Sequence, residues 1–411
     1  MRVGYRVEVR DKDLNRVGEI DTWIKLDLVI RYCQQGTWQL LVKDGTPQAR
    51  LLQRGGGITV WQDGVNFPVF SGQIEFFQRY WTTEQHTGAG SVFFGGKCDN
   101  KLAYGRLAFP DPSKPVAQQY QARDTRGASG SAGEALWWEL DHAIGPKALP
   151  DRQVPGVDTG TLPQVGAIVA DSLRFDVLGT KFEEWCKAKN VGYRFVHDPD
   201  RKQIVLKVFT PQDRSKTVRF SPELGNLKEY TWTLTAPRVT RVIVACQGEG
   251  AARYIYQKTD EASEAEWGVQ VEQFIDRRDL PLKTDPASGK PVKAKADVTD
   301  ADFEAAKKAV IDAADNALKE GARNGNFQIY PIDTNQLKFG RDYFVGDLVT
   351  VVADGAEYTD VVREVNISVE DGGRVSAVTP KIGEQGTGAP LNLYNIVAEM
   401  REKLRKLEAR M

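Results

Sequence analysis

Over residues 5–94, apolar and polar positions alternate in short runs separated by turn residues: VEVRD, GEIDTWIKLDLVIRY, TWQLLV, GGITVWQDG, FPVFSGQIEFFQRYW and GSVFFGGKC. A period of two sends every second side chain to one face, so these runs predict half-buried strands, and their close spacing predicts a barrel or a sandwich. Trp61-Gln62-Asp63-Gly64 is a strand running into an Asp-Gly turn, which predicts paired strands carrying Ile58, Val60 and Val65.

After Cys98 the pattern changes. Residues 102–115 are rich in proline and glycine, and 118–133 are polar up to Ser131, which with Glu134 makes a capping box for a helix predicted over about 133–144. Leu136, Leu140 and Ile144 form its packing stripe, and Gly145-Pro146 ends it. Residues 148–163, with three prolines, read as loop. A second box, Thr180 with Glu183, predicts a helix near 180–190 that carries Phe182, Trp185 and Cys186 on one face and stops at Asn190. A hairpin follows over 192–209, turning at His197-Asp198-Pro199-Asp200.

Alternation returns over 227–258, whereas 283–297 is a Lys/Pro/Ala-rich connector without apolar period, expected to be mobile or to lie at an edge. Thr299 with Asp302 opens a third helix, lined by Phe303, Ala306, Val310, Ala314 and Leu318 and stopped by Gly321. Residues 325–382 are β again. The expected class is mainly β with an α+β insert: a first β domain over 1–101, an α+β middle over 102–235 with helices near 133–144 and 180–190, and a second β domain over 236–383 containing a helix at 300–320. A linker and C-terminal helix fill 384–411. Two β modules of similar size permit an ancient duplication.

In that last segment Leu393, Val397, Met400, Leu404, Leu407 and Met411 recur at alternating four- and three-residue steps, the a/d seam of a coiled coil. A seam ending on the last residue is expected to pair with copies of itself; the alternative is a single amphipathic helix docked on its own domain. The polar linker GEQGTGAP and the facing of Lys403 with Glu408 favour self-association in parallel register. Mixed Val, Leu and Met at the seam leave strand number open.

Composition narrows the function classes. A chain of 411 residues holds two to four domains, and 55 Lys and Arg against 56 Asp and Glu leave no global field to recruit nucleic acid or an acidic membrane. No apolar run approaches the roughly 20 residues of a membrane span, and the first residues alternate instead of forming a signal's apolar core. The four cysteines, Cys33, Cys98, Cys186 and Cys246, are far apart and without a C-x-x-C pair, which predicts reduced core residues; His86, His142 and His197 have no partner at metal-ligand spacing.

A search for chemistry ends without a nucleophile and base, a metal cluster or a phosphate cradle. Gly55-Gly56-Gly57 and Gln247-Gly248-Glu249-Gly250 lack the context of nucleotide-binding loops and read as turns or bulges. Glu75 with Glu84 is one of many carboxylate pairs that 56 acidic residues supply. Residues 369–373 (VEDGG) lack the spacing of a calcium loop. Trp61, Trp81 and Trp137-Trp138 are a candidate sugar platform, with core packing as the plainer reading. No catalytic, cofactor-binding or metal-binding residue is assigned, and no enzyme is expected.

Five passages together resemble the baseplate hub, or tail-associated protein, of siphophages infecting Gram-positive bacteria: LAYGRLAFPDP at 102–112, HAIGPKALPDRQVPG at 142–156, TVRFSPELGNLKEYTW at 217–232, APRVTRVIVACQGEGAARY at 236–254 and FGRDYFVGDLVTVV at 339–352. Their order and spacing carry the resemblance across about residues 5–385. It implies two β-barrel hub domains per chain alternating around a homotrimeric ring, six barrels in all, adapting a sixfold tail tube to a threefold tip. It also implies a place at the virion tail tip, with the distal tail protein ring, the tape-measure protein and a central fibre or spike as partners, and DNA only in passage through the lumen. Family members often continue into a lysin or receptor-binding domain, from which this chain departs by stopping at the short coil. On the implied threefold axis the seam becomes three parallel helices. The alternative is a cell-wall-degrading or polysaccharide-binding tail-tip protein.

Overall fold

The computed structural model describes residues 4–80, 90–121, 123–331, 337–353, 355–370 and 375–383. Two compact units are present: Met1–Thr231 with Phe327–Gly383, and a smaller one that includes Trp232–Asn326. The fold is mainly β.

In the larger unit the alternating runs become the strands they predict. Tyr5–Arg10 lies between Arg16–Ile20 and Gly57–Gln62, and Phe70–Gln73 completes this four-stranded sheet. The main path of the second sheet runs Leu227–Thr235, Asn324–Pro331, Val375–Gly383, Ala356–Glu370, Lys25–Arg31, Thr37–Lys43, Ser91–Lys97 and Phe76–Tyr80. Leu348–Ala353 pairs with the first half of Ala356–Glu370 and, in parallel, with Arg219–Phe220. Both sheets have open ends among the described residues; no pairing closes either into a barrel.

Alternation decides what is buried. Leu26, Leu28 and Ile30 on one strand and Trp38, Leu40 and Val42 on the next point inward, while their polar neighbours face out or lie half-buried. The pairing of Lys25–Arg31 with residues 364–370 makes one sheet of the N-terminal and C-terminal β segments, in a register that sets Leu28 opposite Ile367 and Leu26 opposite Val369. Glu364 accepts from Arg31 and Lys381, each at 2.6 Å. Burial would raise its pKa, but those two hydrogen bonds outweigh burial and hold it below the usual carboxylate range.

Between the β segments lie the helices Ala132–Ala143 and Leu178–Lys189, one hairpin and a further antiparallel strand pair. Ser131 caps Ala132–Ala143 through the predicted box with Glu134, and Asn190 ends Leu178–Lys189 in the left-handed conformation. The second predicted box is absent. That helix starts at Leu178, where the backbone N–H donates to the Arg106 carbonyl at 2.9 Å, and Glu183 instead accepts from Gln34 and from the Tyr104 hydroxyl. A tertiary contact has replaced the local cap.

The strands Gly192–Asp198 and Gln203–Phe209 form the expected hairpin, but His197 lies inside its first strand and the turn spans 199–202. The Asp-Gly turn is likewise longer than predicted. The Val65 N–H donates to the Gln62 carbonyl, yet the partner strand begins only at Phe70, so Val65 is not in the ladder. Pro68, which has no N–H to contribute, stands between. Among the strands that the pattern does not announce are Arg126–Ser131 and Ile168–Leu173, which pair antiparallel; RGASGS has no apolar alternation.

In the smaller unit Arg241–Ala245 is flanked by Ile255–Thr259 antiparallel and Glu272–Asp276 parallel. Thr299 caps Asp300–Gly321 as predicted, by accepting from the Asp302 N–H. Ala306, Val310, Ala314 and Ala317 of that helix pack into one core with Val242, Val244, Cys246 and Leu282. The connector at 283–297 folds into a short hairpin, Leu282–Thr284 with Pro291–Lys293.

Leu28→Ala removes a fully buried side chain at the junction between the two β segments, and is expected to cost roughly 2–5 kcal/mol, read as a lower urea midpoint of the full chain.

Candidate functional site

Leu393, Val397, Met400, Leu404, Leu407 and Met411, the predicted seam, lie outside the described residues, as do Trp81, His86 and Glu84. Glu75 is engaged by Lys101 at 3.0 Å and by the backbone N–H of Lys97. The described tryptophans, Trp61, Trp137 and Trp138, do not share a platform. The Trp61 indole donates to Glu8, that of Trp137 donates to the Gly160 carbonyl, and Trp138 stacks on His142 beneath Arg126.

The densest polar constellation is one that sequence spacing did not reveal. Arg10 donates to Asp99 at 2.6 Å in an ion pair buried on both sides, and the second Asp99 oxygen accepts from Ser71 at 2.6 Å. The Ser71 oxygen in turn accepts from the His197 backbone N–H at 3.0 Å, and the Asn100 side-chain oxygen accepts from the Phe195 N–H at 2.8 Å. Residues 195 and 197 are two apart, so both N–H groups point away from the partner strand. Two buried side chains thus hold the outer edge of the hairpin where a further strand would otherwise be needed.

The His197 ring completes the lock. Its Nε2 lies 3.1 Å from the Leu14 carbonyl, which can only accept, so Nε2 carries the proton and Nδ1 accepts from the Thr59 hydroxyl at 2.8 Å. Burial, and after it the nearby Arg10 charge, push its pKa below the ordinary value. The imidazole is therefore a neutral bridge at neutral pH, tying the loop after the first strand, the strand Gly57–Gln62 and the hairpin together.

A half-buried cation, Arg194, has no acid beside it among the described residues. The Arg194 guanidinium sits between the rings of Phe67 and Phe344, 4.5 and 4.9 Å from their centroids, and burial pushes its pKa down to about 10. It borders a cavity of about 40 Å³, also lined by Tyr32, Cys33, Ser71 and Asn100. That volume suits one or two waters and is an order of magnitude below the roughly 300 Å³ where small-molecule sites begin. Two larger clefts, of about 410 and 340 Å³, are open and lined by side chains engaged with each other, such as Lys101 with Glu75 in the first and Gln34 and Tyr104 with Glu183 in the second.

Among the described residues no group of three or more His, Cys, Asp or Glu is placed to hold a metal ion. The four cysteines are free and buried, and burial pushes the thiols of Cys98 and Cys246 up to about 11, away from nucleophilic use. No helix among the described residues is long and apolar enough to cross a membrane. The arrangement suits a rigid scaffold, with its polar groups spent on holding segments together.

A family model described as Siphovirus ReqiPepy6 Gp37-like protein matches residues 6–384. Comparison with curated proteins finds no match. Among solved structures, the 43 kDa tail protein of prophage MuSo2 from Shewanella oneidensis is similar at TM-score 0.53 and 13% identity, over 92% of this chain and 98% of that one. The tail protein from Neisseria meningitidis MC58 is similar at TM-score 0.51 and 12% identity, over 93% and 97%. At such identities the likeness is one of fold.

Because the native pKa of His197 lies below its unfolded value of about 6.5, the unfolded chain takes up the proton first as pH falls. The stability contributed by the neutral ring is complete above about pH 6.5 and declines as pH drops from there toward the lower native pKa. Urea midpoints measured between about pH 7.5 and 5 are expected to fall for the natural chain and to fall less for His197→Gln.

Proposed function

We propose, from the premise that the chain belongs to the siphovirus ReqiPepy6 Gp37-like family of tail proteins and takes its place in the virion tail, that it is the structural hub of the tail tip. In this reading three copies form a ring that closes the tail tube. The ring carries a central fibre or spike, contacts the distal tail protein ring and the tape-measure protein, and opens for DNA to pass. The hub role is mechanical and asks for no catalytic residue.

The observation that carries this reading is the sheet shared by the N-terminal and C-terminal β segments through Lys25–Arg31 and residues 364–370. A ring adapting sixfold to threefold symmetry needs two β modules per chain held at a fixed spacing. A continuous ladder supplies that rigidity without a flexible linker. In the proposed division the modules are the segments 1–101 and 236–383, the latter beginning with residues 236–326 of the smaller unit, with 102–235 between them; each module plays the part of one barrel of the ring. The seam of Leu393, Val397, Met400, Leu404, Leu407 and Met411 is then a parallel three-helix stub on the threefold axis. At about 1.5 Å per residue it spans only about 28 Å, too short for a fibre and suited to seating the next component.

Light scattering of the purified chain is expected to give the mass of a trimer, alone or on adding tail-tube partners; a monomer under both conditions overturns the hub reading. Leu404→Asp, which puts a charge into the seam, is expected to weaken trimer cohesion or fibre attachment and to leave the circular dichroism of the β body unchanged. Release of sugar or peptide from purified cell wall would instead favour a wall-degrading tip.

A further inference from the structure

One charge in the larger unit lacks a counterpart. The Arg194 guanidinium, set between the rings of Phe67 and Phe344, makes no hydrogen bond or ion pair with any described residue, and its Nη1 is buried without a partner. With a pKa of about 10 it keeps its charge at neutral pH. A charge taken out of water is costly unless something of opposite sign meets it.

The cavity beside it offers no such group from the protein. Two arginines, Arg194 and Arg31, line that cavity, and no Asp or Glu does. Arg31 shares Glu364 with Lys381, so one acid serves two cations there. Arg363 lies over the ring of Tyr32, another lining residue, at 5.8 Å, and its Nε is also buried without a partner. The surroundings of the cavity therefore carry a surplus of positive charge. Water can accept from a guanidinium, but it does not neutralise one.

The cavity also falls at a gap in the outer edge of the hairpin. On that edge the Val191 carbonyl accepts from the Tyr32 hydroxyl at 2.6 Å, and the N–H groups of Phe195 and His197 are met by Asn100 and Ser71. Tyr193 lies on the same edge by the period of two, and its N–H meets no acceptor among the described residues. Tyr193 and Arg194 both border the cavity, so a charged donor and a backbone N–H flank one space of about 40 Å³. That space suits a single-atom ion with a water beside it, and two donors are too few for the oxygens of a phosphate.

We propose that this cavity binds a halide ion, ordinarily chloride, between the Arg194 guanidinium and the Tyr193 N–H. The ion neutralises Arg194, fills the gap in the hairpin edge, and ties that edge to the segment around Tyr32. The site lies within one chain, so it is independent of the hub reading and of any oligomeric state.

Crystals of the full chain grown with bromide in place of chloride are expected to show an anomalous peak within hydrogen-bond reach of Arg194 Nη1. Water alone in the cavity, or a carboxylate of a neighbouring copy beside Arg194, overturns the proposal. In solution, urea unfolding at constant ionic strength, with chloride exchanged for gluconate, reads the preference of the ion for the folded state. The unfolding constant is expected to fall by about tenfold between chloride-free buffer and about 100 mM chloride, as a dissociation constant of about 10 mM gives. Arg194→Met, which keeps an apolar stem between the two rings, is expected to reduce that change to about twofold or less. No chloride dependence in the natural chain, or the same dependence in both chains, overturns the proposal, and a bromide peak then reports binding at crystal concentration only. If Arg194→Met does not fold, the bromide peak and the chloride dependence of the natural chain decide together.

Discussion

The larger unit depends on one strand pairing, Lys25–Arg31 against residues 364–370. It brings together residues more than 300 positions apart, as the Arg31 bond to Glu364 across 333 positions records. Its register is set by burial. A slip of one residue would turn the buried set of one strand, either Leu26, Leu28 and Ile30 or Val365, Ile367 and Val369, toward water together, so the alternative pairings are strongly disfavoured. The entropy of closing so long a loop grows only with the logarithm of its length, about 0.6 kcal/mol for each doubling, which is why a whole folded unit can be carried between the pairing partners.

The middle of the chain is held by a different device. The hairpin Gly192–Asp198 with Gln203–Phe209 has an outer edge whose N–H groups at 195 and 197 are met by Asn100 and Ser71 in place of a strand. Ser71 is itself fixed by Asp99, and Asp99 by Arg10. An ion pair buried this deeply contributes little net stability over apolar packing, but removing one partner leaves an uncompensated charge. The arrangement therefore selects one seating of the hairpin and penalises the others. With His197 bridging to Thr59 and Leu14, most polar groups of the site are engaged with each other, which holds these segments in place.

The family model places the chain among siphovirus tail proteins, and its fold is shared with the tail proteins of prophage MuSo2 and of Neisseria meningitidis at 12–13% identity. At that identity few side-chain contacts are shared, so what persists is the fold. A scaffold of this kind tolerates replacement of nearly every surface residue, provided the alternation along each strand is kept.

Alternation, capping and turn chemistry are local, and they determined the mainly β class, the helices Ala132–Ala143 and Asp300–Gly321, and most strands by themselves. The absence of a catalytic pattern and the resemblance to tail hubs were also legible, because both rest on residues in order along the chain. Other features required the tertiary structure, for physical reasons that differ. The start of Leu178–Lys189 is set by a carbonyl from Arg106, which no neighbouring residue announces. RGASGS became a strand because Ile168–Leu173 lies beside it, not through its own preference. His197 appeared as one of three scattered histidines, and only folding set it beside Thr59, Leu14 and Ser71, from segments more than 100 positions away. That Phe76–Tyr80 and Leu227–Thr235 end the main path of the sheet is decided by strand order, since hydropathy reads a strand's two faces and says nothing of its two edges.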